Sequence, residues 1–206
     1  MKHTLPLLVV YIGLAFTMQY LLPTDELLLD NLTQTVSLNK AEEVLAQMVK
    51  YRWVGYVLTP VLLLLKWLFV SSLLYTALFF ANVKLGFKAL WQITVQAEWV
   101  FVLAALVKFC WFYFFATNYT LQDLQFFYPL SAANLFSPAE LEAWWVYPFQ
   151  LINLFEVAYW LVLAVLLGKA LQIKPGKAAE YVAKGYGTGL LLWVLLVVFI
   201  TLNFSV

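Results

Sequence analysis

Apolar residues in this chain gather into five long runs, residues 5–22, 53–81, 97–116, 148–168 and 187–204, separated by short polar stretches. A helix that crosses ~30 Å of hydrocarbon needs about 20 mostly apolar residues, and each run reaches or nearly reaches that length. The pattern predicts an all-α, polytopic transmembrane helix bundle with five spans and short interfacial helices. Together they form a single integral membrane domain over residues 1–206. Between the first two runs, Leu38, Ala41, Val44, Leu45 and Met48 recur at helical spacing, opposite Asn39, Glu42 and Gln47. Segment 38–49 reads as an amphipathic helix that either lies on the membrane or continues into the second span. Asn39 followed by Glu42 fits its start. Residues 84–96 set Leu85, Phe87, Leu90, Trp91 and Ile93 among Lys84, Lys88 and Gln92, the composition of an interfacial helix. Ser137-Pro138-Ala139-Glu140 combines a capping residue, a first-turn proline and an acid, and predicts a short helix there.

Composition sharpens this reading. The chain is 65% hydrophobic and 11% charged, with a mean hydropathy of +0.86. That is too little polar surface to cover a globule in water. With 206 residues spent mostly on spans, no room remains for a separate soluble catalytic domain. A net charge of +1 and scattered basic residues exclude a phosphate-tracking patch, so no nucleic-acid partner is expected. Cys110 is the only cysteine and lies inside a run, and His3 is the only histidine. Neither a disulfide, a metal site nor a cofactor is expected. Lys2 and His3 before the first run have the shape of a signal peptide, but Met18-Gln19-Tyr20-Leu21-Leu22-Pro23 lacks a small-x-small cleavage site. The segment is expected to be an uncleaved first span.

The lysines orient the bundle. With the N-terminus cytoplasmic, the inner segments hold Lys2, Lys84, Lys88, Lys169, Lys174, Lys177 and Lys184 against Glu180 alone. The outer segments hold only Lys40, Lys50 and Arg52, against Asp25, Glu26, Asp30, Glu42, Glu43, Asp123, Glu140 and Glu142. The positive-inside rule therefore predicts N-in, C-out. The outer loop, residues 117–147, has no lysine or arginine and is rich in aromatic residues. Trp144, Trp145 and Tyr147 are expected to pack at the outer headgroup level or against an extracytoplasmic partner, tethering the start of the fourth span.

Four ionisable residues fall inside runs: Lys66, Glu98, Lys108 and Glu156. A charge within a span costs about 2.5–3.5 kcal/mol on insertion scales, so such groups face protein or water. Counting along the runs puts Lys66, Lys108 and Glu156 at similar depth. Glu98 falls near the inner end, within reach of Lys84, Lys88 or Lys169. Glu156 is expected to pair with Lys66 or Lys108. Gln150, Asn153 and Glu156 recur every third residue, a polar stripe along the fourth span. The cluster Lys66, Lys108, Asn153 and Glu156 reads either as an interhelical clamp or as a proton, ion or headgroup path.

The remaining motifs carry less. Gly185-Tyr186-Gly187-Thr188-Gly189 follows no strand, and Gly185 with Gly189 fits small-xxx-small helix packing instead. Ser71 and Ser72 share no helix face with Lys66. Asn31, Asn118 and Asn203 begin glycosylation tripeptides that matter only in a eukaryotic secretory pathway. There is no aspartate pair in a span, no His-Glu-x-x-His helix and no histidine to activate a nucleophile, so no enzyme is expected.

Three stretches together resemble the Yip family, the five-span Ypt/Rab-interacting membrane proteins, in its bacterial form. The first is Gly55-Tyr56-Val57-Leu58-Thr59-Pro60 running through residues 61–65 to Trp67. The second is Gly86-Phe87-Lys88-Ala89-Leu90-Trp91-Gln92-Ile93, followed by Glu98-Trp99-Val100-Phe101-Val102-Leu103. The third is Asn153-Leu154-Phe155-Glu156-Val157-Ala158-Tyr159-Trp160 with Gly168-Lys169-Ala170. The resemblance covers about residues 51–204 and implies a bacterial inner-membrane protein without catalytic residues. Eukaryotic members add a long cytosolic N-terminal region that engages GTPases. Only Met1 to Thr4 precede the first run here, so a GTPase partner is not expected. Two functions remain open. One is a non-catalytic, membrane-organising or accessory subunit that binds lipid and other membrane proteins. The other is a small transporter or permease-like exporter subunit that uses the midplane charges.

Overall fold

A computed structural model describes residues 4–116, 118–137 and 140–204. Helices α1 (Thr4–Leu21), α2 (Thr24–Thr33), α3 (Leu38–Phe80), α4 (Phe87–Ala97) and α5 (Trp99–Cys110) make up the first part of the chain. Then follow α6 (Leu121–Phe126), α7 (Ala143–Leu151), α8 (Leu154–Leu171), α9 (Pro175–Val182) and α10 (Thr188–Phe204). Five helical stretches are long and apolar enough to cross a membrane: Thr4–Leu21, Leu38–Phe80, Phe87–Phe115, Leu154–Leu171 and Pro175–Phe204. Among the described residues there is no strand beyond one isolated bridge. The protein is an all-α, five-span membrane bundle, as its hydropathy pattern predicts.

The helix boundaries depart from the apolar runs in informative ways. Segment 38–49 continues into the second span, making α3 a single helix of 43 residues. At about 1.5 Å per residue it is roughly 64 Å long, so its first turns stand clear of the hydrocarbon. Neither Gly55 nor Pro60 interrupts it. The third span begins earlier than residue 97. α4 leads through Glu98 directly into α5, which ends in a π-helical turn at Trp111–Phe115. Leu90, Ile93, Thr94, Val95 and Ala97 of α4 are buried, packed between α3 and α8. The amphipathic stripe of 84–96 faces the protein, and α4 forms the first part of the span. The fourth run is split at Ile152 and Asn153, and its spanning helix starts at Leu154, six residues beyond the expected start at Pro148. Pro138 and Ala139 lie outside the described residues, and with them the helix start expected at Ser137. The next described helix is α7.

Two apolar clusters hold the bundle. The larger joins Val70, Leu74 and Leu78 of α3, Leu90 and Ile93 of α4, and Tyr159, Leu163 and Leu167 of α8. The smaller sets Leu7 of α1 against Trp67, Val95 and Val102. At the acid-rich end, Arg52 of α3 pairs with Asp25 of α2, which also accepts from Gln19 of α1 at 3.0 Å. The Arg52–Asp25 pair is partly exposed, so it orients these helices more than it stabilises them, by about 0–1 kcal/mol.

The last span approaches α3 through glycine. α9 passes through a second π-helical turn, Ala183–Gly187, into α10. A Cβ on Gly185 would lie 2.8 Å from the Leu73 carbonyl oxygen, and one on Gly189 would overlap the Leu73 side chain. Both glycines face the same residue, as small-xxx-small packing requires. Gly185→Ala is therefore expected to lower stability by about 1–3 kcal/mol, because the obstruction is backbone. Gly13→Ala, with nothing within 4 Å of the new methyl, is expected to be neutral or stabilising by about 0.5–1 kcal/mol. Unfolding of the two variants in the same detergent checks the contrast.

Candidate functional site: a polar centre within the spans

The buried charges meet, but in other partnerships than depth counting predicts. Lys66 Nζ of α3 donates to Glu98 Oε1 at 2.7 Å, and Tyr11 of α1 donates its hydroxyl to the same oxygen at 3.1 Å. The Glu98 side chain is 1% exposed. Lys66 also sits 4.0 Å from the Phe101 ring centroid, a cation–π contact. Glu98 thus does not reach Lys84, Lys88 or Lys169. Because the third span starts at Phe87, Glu98 lies well inside it. Along their helices, Lys66, Glu98 and Glu156 stand roughly 21, 17 and 22 Å from Phe80, Phe87 and Leu171, at about 1.5 Å per residue. The three stand at comparable heights above the basic end of the bundle.

Glu156 pairs with neither lysine. Its Oε1 accepts from the Tyr186 hydroxyl at 2.7 Å and from Trp160 Nε1 at 2.9 Å. Tyr159 is fully buried beside both centres. Its ring packs 4.8 Å from Phe101 and 5.3 Å from Tyr186. Aromatic donors take the place that the sequence pattern assigned to a cation, without cancelling the carboxylate charge. Lys108 takes no part: it is half-buried, and no ion pair or hydrogen bond to it occurs among the described residues. Glu98 Oε2, the Tyr159 hydroxyl and Trp67 Nε1 are buried without a protein partner among the described residues.

The polar stripe of the fourth run is a joint between two helices. Asn153 is the N-cap of α8, its Oδ1 accepting from Glu156 N at 2.7 Å. Its Nδ2 donates to the carbonyls of Gln150 and Leu151 at 2.9 and 3.1 Å, the last turn of α7. One amide side chain therefore satisfies orphan groups of two helix ends. The Leu154 N–H is taken by the Leu130 carbonyl at 3.3 Å, and Ile152 O accepts from Ala132 N at 2.8 Å. Leu130 reaches this position in the left-handed region, at φ 54°. Gln150 points elsewhere, to the Phe126 carbonyl at 2.7 Å. Glu156 lies in the first turn of α8, where its charge suits the helix dipole.

The loop above closes on this joint. α6 begins with a capping box between Thr120 and Asp123. Burial, reinforced by the Glu156 and Glu98 carboxylates, pushes the Tyr128 phenol up to about 12. Tyr147 accepts from Trp193 Nε1 of α10 at 2.9 Å, so it ties α7 to the last span. Trp144 donates to Glu142 and packs at a tilt against Trp145, which is 41% exposed.

Beside the centre, a groove of about 660 Å³ opens on the side of the bundle between α8 and α10. Leu154, Val157 and Leu161 line it, Glu156 and Trp160 reach into it, and neither Lys66 nor Lys108 does. Fold and centre together define a five-span helical membrane protein with an embedded carboxylate–aromatic core. Comparison of the chain with protein-family models, with curated proteins and with solved structures finds no match.

Tyr11, Tyr159 and Tyr186 are the residues that hydropathy counting passed over. Tyrosines favour the membrane interface, so one deep in a span implies a partner for its hydroxyl. That signal was available for Tyr11.

Lys66→Met leaves the Glu98 carboxylate buried without its cation and is expected to destabilise the bundle by about 3–5 kcal/mol. Replacing both, as Lys66→Met with Glu98→Gln, is expected to recover most of that loss. Lys108→Met is expected to be neutral or stabilising. Reversible unfolding in mixed micelles measures all three, and a Lys108→Met loss as large as that of Lys66→Met contradicts the assignment.

Proposed function

We propose that this chain is a non-catalytic, Yip-like protein of the bacterial inner membrane, with its N-terminus cytoplasmic and its C-terminus extracytoplasmic. It works as a membrane-organising or accessory subunit that contacts lipid and other membrane proteins. The observation that carries this reading is the state of the buried charges. Lys66 is held by Glu98, and one oxygen of Glu156 is held by two aromatic hydrogen bonds. The groove beside them opens sideways and is lined by neither lysine. Such a centre supports a clamp between α1, α3, α5, α8 and α10 more than a route across the membrane. The transporter reading draws on one feature, the break at Ile152 and Asn153 beside Glu156, since discontinuous helices flank midplane sites in transporters.

Proteoliposomes separate the two. With a pH-sensitive dye inside and an imposed proton or potassium gradient, leakage is expected to equal that of empty vesicles. Flux above that background that disappears in Glu156→Gln overturns the accessory reading. Orientation is checked in a Cys110→Ser background. A cysteine replacing Gln122 is expected to react with an impermeant maleimide from outside intact cells, and one replacing Lys174 only after lysis. The reverse pattern inverts the topology.

A further inference from the structure

The groove between α8 and α10 is apolar along its length and carries a carboxylate at one end. Leu154, Val157 and Leu161 lie on one face of α8 and are 62%, 56% and 61% exposed. Leu190 of α10 faces them, and Val182 bounds the far end. The volume of about 660 Å³ falls in the ~300–1,000 Å³ range of small-molecule sites. Both hydrogen bonds to Glu156 land on Oε1. Glu156 also lines the groove, which leaves Oε2 to whatever lies there.

We propose that this groove binds one membrane lipid with an ammonium headgroup, its acyl chain along Leu154, Val157 and Leu161 and its ammonium on Glu156. Charge decides the headgroup. Against plain hydrocarbon the second Glu156 oxygen has no donor and the charge no counter-ion, at a substantial desolvation cost. An ammonium supplies three donors and the opposite charge. The same end of the bundle carries Asp123, Glu140 and Glu142, with no lysine or arginine in residues 118–137 or 140–147, so an anionic headgroup meets repulsion there. The inference needs only that the bundle sits in a bilayer, not the accessory role or the orientation proposed above.

The test uses the full chain, purified in detergent and mixed with equal amounts of phosphatidylethanolamine and phosphatidylglycerol, and reads retained lipid by native mass spectrometry. One phosphatidylethanolamine is expected to be retained in preference to phosphatidylglycerol by roughly tenfold or more. Glu156→Gln is expected to abolish the preference. Leu161→Trp, at a position 61% exposed, fills the groove without touching the carboxylate and is expected to lower retention of both lipids. Leu192→Trp, equally exposed on α10 but outside the groove, is expected to change nothing. Equal retention of the two lipids by the wild type overturns the proposal. So does lipid retention that is undiminished in Leu161→Trp, a result that holds even if Glu156→Gln fails to fold. A dimer that retains no lipid would show a second copy in the groove and also overturn it.

Discussion

The buried Glu98 carboxylate organises the bundle. It sits where α4 passes into α5, with Lys66 of α3 and Tyr11 of α1 on one of its oxygens. Three spans are thereby drawn to one point within the hydrocarbon, where the alternative to each bond is an unsatisfied polar group. The partnership sets the rotation of each helix about its axis. With Lys66 turned toward Glu98, Trp67, Val70 and Leu74 face inward. With Tyr11 on the same carboxylate, Leu7 is fully buried against Trp67 and Val102.

A second centre repeats the logic for the other two spans. Glu156 of α8 gathers Trp160 from its own helix and Tyr186 from the π-helical turn that precedes α10. That turn carries an extra residue. It lets Tyr186 point at Glu156 while Gly185 and Gly189 meet Leu73 on the opposite side. Without the glycines, the last span would stand away from α3, and the tyrosine would lose its acceptor. Tyr159 joins the halves through its ring packing against Phe101 and Tyr186.

The joint at Asn153 links this interior to the loop. Because Asn153 caps α8 and binds the last carbonyls of α7, the chain can bend inside an apolar run without stranding backbone groups. The loop supplies the remaining partners, Leu130 and Ala132. The bend also shapes one end of the lateral groove, since Ile152, Asn153 and Leu154 all line it. The groove and the loop are therefore one construction, and the aromatic residues of α7 hold it to α10 through Tyr147 and Trp193.

The sequence by itself determined the class and the number of spans, and it placed Lys66, Glu98, Lys108 and Glu156 within them. Hydrocarbon thickness demands a minimum apolar length, and burial of charge is penalised wherever it occurs; both are properties of composition along the chain. Gly185 and Gly189 were likewise legible, because only close approach explains small residues at that spacing. Tertiary structure decided the pairings. Lys66 chose Glu98 because the third span starts ten residues before the apolar run does, at Phe87, a shift hidden while 84–96 read as a surface helix. Glu156 found aromatic donors because helix rotation, which a single chain does not encode locally, set Tyr186 beside it. The break at Asn153 needed a carbonyl from Leu130, some two dozen residues away. Hydrophobicity is a local sum, whereas a hydrogen bond between spans depends on the depth and rotation of two helices at once.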